Sequence, residues 1–170
     1  MTTRVGVRRC ALAAALAWAG AAAAATLEFA DAEGRALLAC TLEPQDRWCL
    51  VWNHSVAGFA VRDCFVYRPP AMILDESHQP DFAAGLGHVP GRGELRSDAD
   101  GGYRIVDIAA PVAGNELALR VGSPRVNHRV EFPGAEAVSL SELAAGERLV
   151  MRVSHGGRGL ARPSRRCDGG

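Results

Sequence analysis

His54, Ser55, Glu76, Asn127 and His128, together with the glycine-rich segment around Gly85 and Leu86, are the residues of this chain whose types could support chemistry. A Ser/His hydrolase would use Ser55 as nucleophile, a histidine as its base and backbone N–H groups as an oxyanion hole. His54 and Ser55 are neighbours, so on a strand their side chains point to opposite faces and cannot serve each other. The base would then be His128, and the oxyanion hole would come from residues 85–87. No G-x-S-x-G elbow presents the serine. A metal site would gather His54, His128 and either His88 or His78 with Glu76 or Asp75, because imidazole and carboxylate suit zinc or copper. No two of the five histidines stand at the i, i+2 spacing with which a strand clamps an ion, so no metal and no cofactor are assigned.

Binding without catalysis asks less of the same residues. His54, the loop at residues 77–93 and His128 would line a surface for a small ligand or a protein, and the N–H groups of Gly85 and Gly87 would form a nest for a carboxylate. Against this stands a purely packing role. In it a buried His54 donates to a loop carbonyl and fixes the loop over a sheet, while Ser55 satisfies a backbone group at the strand end.

The elements that must position these residues read as strands. Trp48, Leu50, Trp52 and Val56 place apolar side chains at even spacing, which predicts a half-buried strand over residues 48–56 ending in His54 and Ser55. Residues 36–42 precede it and residues 59–67 return from it, the latter ended by Pro69 and Pro70. A brief run at 71–76 is expected at an edge or crossover. No period persists over 77–93, which carry six Gly or Pro, and a structureless stretch of that length is often functional. Residues 94–96 and 103–108 flank an Asp/Gly turn. Residues 116–121 and 125–132 alternate, the second with His128 on its apolar face, and 148–153 close the series. One helical turn is expected at 141–145, capped by Ser141. About nine short strands with almost no helix predict an all-β protein, an antiparallel β-sandwich or partly open barrel.

Composition restricts where such a protein works. Arg4, Arg8 and Arg9, an apolar run and Ala23, Ala24 and Ala25 form a secretory signal peptide, with cleavage expected near Ala25 and a periplasmic destination. The remainder divides into a sandwich domain at 26–157 and a basic flexible tail at 158–170. Of the residues at 26–157, 12 are Arg and 18 are acidic, and the chain has no Lys. Such a body does not bind nucleic acid, whose phosphates need a positive surface. Cys40, Cys49, Cys64 and Cys167 follow the signal, an even count that in an exported protein implies disulfides with three possible connectivities. A hairpin turning near Val56 and Ala57 would set Cys49 opposite Cys64 and leave Cys40 for Cys167.

The order of these pieces resembles that of a known family. Trp52, His54, Ser55 and Val56 give W-x-H-S-V, Glu76 follows, residues 83–87 read A-A-G-L-G, and V-G at 121–122 precedes N-H-R at 127–129. This pattern, spread over residues 36–153, is similar to a family of uncharacterised exported proteins typically encoded beside TAXI-type TRAP transporters. Ala57 stands where the family tends to have Glu, and Gly87 where it tends to have Pro. The resemblance implies a non-catalytic, exported accessory of a solute-uptake system. Its expected partners are the transporter's membrane or solute-binding subunits and a small organic acid.

Overall fold

The computed structural model describes residues 25–80, 91–97, 102–155 and 167–169. Among the described residues, thirteen strands, all paired antiparallel, form two sheets that face each other and do not close into a barrel. The smaller sheet takes β1 (Ala25–Ala30), β2 (Ala36–Leu42), β9 (Glu116–Arg120), β12 (Arg148–His155) and the short β13 (Asp168–Gly169), in the order β13-β2-β1-β12-β9. The larger sheet is built from β3 (Arg47–Asn53), β4 (Ala60–Arg68), β5 (Ala71–Gln79), β6 (Glu94–Ser97), β7 (Tyr103–Val106), β10 (Arg129–Glu131) and β11 (Val138–Ser139). Its order is β11-β10-β3-β4-β5-β7-β6, and β8 (Ala110–Pro111) pairs with β5 beyond the end of β7.

Strand alternation builds the core. Leu27, Leu38, Leu42, Leu149 and Met151 from the smaller sheet meet Trp48, Leu50, Phe65, Tyr67 and Met72 from the larger one in a single buried cluster. Trp48 is fully buried and stacks on Phe65, its cross-strand partner, at 5.7 Å between ring centroids. An aromatic pair directly opposite on one sheet face adds packing energy beyond its buried area. Cys49 and Cys64 lie opposite each other and are bonded, as are Cys40 and Cys167. The first bond crosses one hairpin, and the second ties residue 167 to the buried face of β2. These bonds suit an oxidising, extracytoplasmic setting. Among the described residues, no helix is long and apolar enough to cross a membrane.

The expected elements shift where local hydrogen bonds turn the backbone. The strand expected over 48–56 stops at Asn53, because the His54 carbonyl accepts from Gly58 N–H and the chain turns there, leaving Val56 84% exposed. The run expected at an edge is instead a central strand, paired along one side with β4 and along the other with β7 and β8. It extends through Gln79, so the first three residues of the expected loop are strand, and residues 81–90 fall outside the described residues. Only Arg129–Glu131 of the expected 125–132 strand pairs. The Ser123 carbonyl accepts from the N–H groups of Val126 and Asn127, and Asn127 takes a left-handed φ of 51°, which bends the approach to β10. Helix α1 (Leu140–Ala144) is capped by Ser139, whose side chain accepts from Glu142 N–H at 3.2 Å, and not by Ser141. Residues 1–24 of the expected signal peptide and residues 158–166 of the expected tail also lie outside the described residues.

Candidate functional site

His54 follows the last residue of β3 and is half-buried. Its Nδ1 accepts the N–H of Ala57 at 3.1 Å and that of Val56 at 3.4 Å, and its ring stacks on Phe59 at 5.1 Å. The imidazole therefore organises its own turn as an acceptor, where the sequence reading had it donating to a loop carbonyl. Ser55 is exposed in that turn.

His128 is held by more of the fold. Its Nδ1 accepts from Gly122 N–H at 2.9 Å, its N–H donates to Ser141 Oγ at 2.8 Å, and its carbonyl accepts from the N–H groups of Leu140 and Ser141. Its ring stacks on Trp52 at 5.9 Å. Ser141, 2% exposed, passes a hydrogen bond on to the Gly122 carbonyl at 3.0 Å. Burial pushes the His128 imidazole below its ordinary range, which favours the neutral ring that can accept from Gly122. Asn127 contributes its carbonyl to Arg129 at 3.3 Å. The two histidines thus sit near the same end of β3, joined through Trp52 and through Asn53, whose N–H donates to the Val126 carbonyl at 2.6 Å. Each commits its Nδ1 to the backbone.

Glu76 is elsewhere, in mid-strand on β5, opposite Cys64. Gly85, Leu86 and His88 lie outside the described residues. Among the described residues no three of His, Cys, Asp and Glu are grouped as ligands of one ion.

Glu76 instead belongs to the outer face of the larger sheet, which sequence reasoning missed. The alternation that sends Trp48, Leu50 and Trp52 inward sends Arg47 and Cys49 outward, together with Arg62, Cys64 and Arg68 from β4. A bulge between Cys64 and Phe65 leaves Asp75 as an extra residue. Asp75 and Glu76 consequently reach the same face, Asp75 to Arg47 at 2.6 Å and Arg68 at 3.3 Å, Glu76 to Arg104 at 3.7 Å. Glu131 takes Arg62 and Arg129, each at 2.8 Å. A groove of about 480 Å³ runs over this face, lined by Arg47, Arg62, Arg104, Glu76, His78 and the Cys49–Cys64 disulfide. A second groove of about 330 Å³ at the Cys40–Cys167 disulfide shares Arg47 and Pro133 with it.

The inner face carries one polar line. Tyr103 donates to Gln79 Oε1 at 3.3 Å, Gln79 Nε2 to Ser77 Oγ at 3.2 Å, and Ser77 to Asp63 Oδ1 at 2.7 Å, so every donor points toward the carboxylate. Burial raises the Asp63 carboxyl above its usual range, and the Ser77 hydroxyl offsets part of that. Asp63 itself carried a signal for this line, because a carboxylate at an inward position of an apolar strand needs a partner.

A family model described as Domain of unknown function (DUF1850) matches residues 49–138. The matched span begins within β3, ends at the start of β11 and contains nearly all of the larger sheet. No curated protein and no solved structure matches the chain.

Proposed function

The chain belongs to the family described as Domain of unknown function (DUF1850), and from the resemblance of its motif order to exported proteins encoded beside such transporters we propose that it is an exported, periplasmic, non-catalytic accessory of a TRAP uptake system of TAXI type. The observation that carries this reading is the outer face of the larger sheet. Residues 26–157 have an acid excess, yet six of their twelve Arg project from this one face, against four carboxylates on its strands among the described residues. Such segregation is what a surface needs to meet an anionic solute or an acidic patch on a partner subunit. The disulfides support work outside the cytoplasm. Signal cleavage near Ala25 leaves β1 almost whole, since that strand begins there. A small-ligand module built on His54, the loop at 77–93 and His128, or a Ser55 hydrolase, is less supported because both imidazoles serve the backbone through Nδ1.

The test is deletion of the protein in its host, with uptake by the neighbouring transporter measured alongside co-purification of that transporter's subunits with the tagged protein. Reduced uptake with specific co-purification is expected. Unaltered uptake and no association would overturn the reading.

A further inference from the structure

The two sheets end in edges of different kinds. In the smaller sheet, β13 covers part of β2 and follows directly on the Cys40–Cys167 bond. In the larger sheet, β11 has only two residues, and Glu94 and Arg96 of β6 pair with each other. β9 is the exception: it has five residues, no Pro, an unbroken register with β12, and no strand on its other side among the described residues. An open edge of that kind is a template for another strand.

Its backbone is set to accept one. Val121 N–H donates to the Glu147 carbonyl, and bonding to one neighbour alternates along an antiparallel strand, so Leu119 and Leu117 are the residues that bond β12. Glu116, Ala118 and Arg120 therefore turn their N–H and C=O groups outward. Their side chains are exposed, whereas Leu117 and Leu119 are half-buried against the core.

The side chains say what pairs there. Glu116-Leu117-Ala118-Leu119-Arg120 is symmetric about Ala118, except that its two ends carry opposite charges. Laid antiparallel on itself, Glu116 meets Arg120 of the second copy, Leu117 meets Leu119, and Ala118 meets Ala118. Within one copy those charges are poorly matched. Arg120 lies beside Arg148, and Arg152, beside Glu116, is bonded to Glu28 at 2.8 Å. Among the described residues neither Glu116 nor Arg120 forms an ion pair.

We propose that two copies of this chain join through β9, antiparallel about a two-fold axis at Ala118, fusing their smaller sheets into one of ten strands, five from each copy. Glu116 with Arg120, Ala118 with Ala118 and Arg120 with Glu116 each exchange a pair of N–H···O bonds across the axis. The leucines take the closer, non-hydrogen-bonded positions and bury apolar area that one copy leaves half-exposed. Charge fixes the register, since a shift by one residue sets Glu116 and Arg120 against leucine. Because the patch meets itself, the contact closes at two copies and leaves no β9 free to extend. The pairing uses nothing from the outer face of the larger sheet, so it stands or falls apart from the accessory reading.

The experiment is analytical ultracentrifugation of the exported protein, both disulfides intact, across about 1 µM to about 1 mM, the range suited to an interface smaller than the standard size. The average mass should rise about twofold and no further, as a closed pair requires. Ala118→Pro removes the central outward donor, which takes no part in bonding β12, and should leave a monomer throughout. Glu116→Arg and Arg120→Glu each set like charges opposite one another and should each weaken association about tenfold or more. An equimolar mixture of these two single variants should associate again, because each then meets its opposite, and the double variant Glu116→Arg/Arg120→Glu should pair with itself as the wild type does. A wild type that stays monomeric at every concentration would overturn the proposal and leave this edge to a strand of another protein. A wild-type dimer that survives Ala118→Pro, or reversed single variants that fail to associate on mixing, would overturn it as well.

Discussion

The two faces of the larger sheet are made by the same strands and obey different rules. Inward, Trp48, Phe65, Tyr67 and Met72 are sealed against the smaller sheet, and what matters is volume and shape. Outward, one residue along on each strand, Arg47, Arg62, Glu76 and Arg104 stand in water, and what matters is which charge lies beside which. The inner face explains why the chain folds. The outer face is the one to which the proposed recognition is assigned.

Breaking the disulfides gives the largest effects and separates the faces. The Cys40–Cys167 bond closes a separation of 127 residues and starts from the buried core, so replacing both cysteines with Ser should cost about 5 kcal/mol. The Cys49–Cys64 bond on the outer face closes 15 residues, and its loss should cost about 3 kcal/mol. Urea denaturation of the two double variants would show whether that order holds.

Side-chain truncation sharpens the same contrast. Trp48→Ala removes a fully buried ring and should cost about 3–5 kcal/mol. Arg62→Ala breaks a partly solvated ion pair and should change stability by no more than about 0.5 kcal/mol. Similar unfolding midpoints for the two variants would remove the distinction between the faces.

Two buried titrating groups predict smaller, opposite pH effects. His128 is depressed in the fold, so its contribution is present above the unfolded pKa near about 6.5 and is lost as pH falls toward the lowered value. His128→Ala should cost about 1–3 kcal/mol through the orphaned Gly122 N–H, while His128→Asn, which can keep an acceptor there, should flatten the pH dependence at smaller cost. Asp63 is raised, so stability is fullest below its unfolded pKa near about 3.9 and declines as pH rises through the folded value. Asp63→Asn keeps an acceptor for Ser77 and should remove that decline in thermal melts taken from acid to neutral pH.

Alternation of Trp48, Leu50 and Trp52 was enough to read an antiparallel two-layer β protein, and the cysteine spacing was enough to anticipate the hairpin disulfide. Val56 broke the same pattern because the His54 carbonyl and ring draw the next residues into a turn, a local capture that hydropathy does not register. His128 looked like a ligand on an apolar strand. It instead lies just before β10, outside the pairing, and its partners, Gly122 and Ser141, come from other segments. The charged outer face escaped notice for a different reason. Arg62, Arg104 and Arg129 are far apart in sequence, and only the pairing of β3, β4, β5, β7 and β10 makes them neighbours.

The most direct test of the whole account replaces the chromosomal copy with the double variant Arg62→Gln/Arg104→Gln and measures solute uptake by the TRAP transporter proposed as its partner. The protein should accumulate, keep both disulfides and melt as the wild type does, while uptake falls to the level of the deletion strain. Wild-type uptake from a correctly folded, equally abundant double variant would contradict the assignment of function to this face.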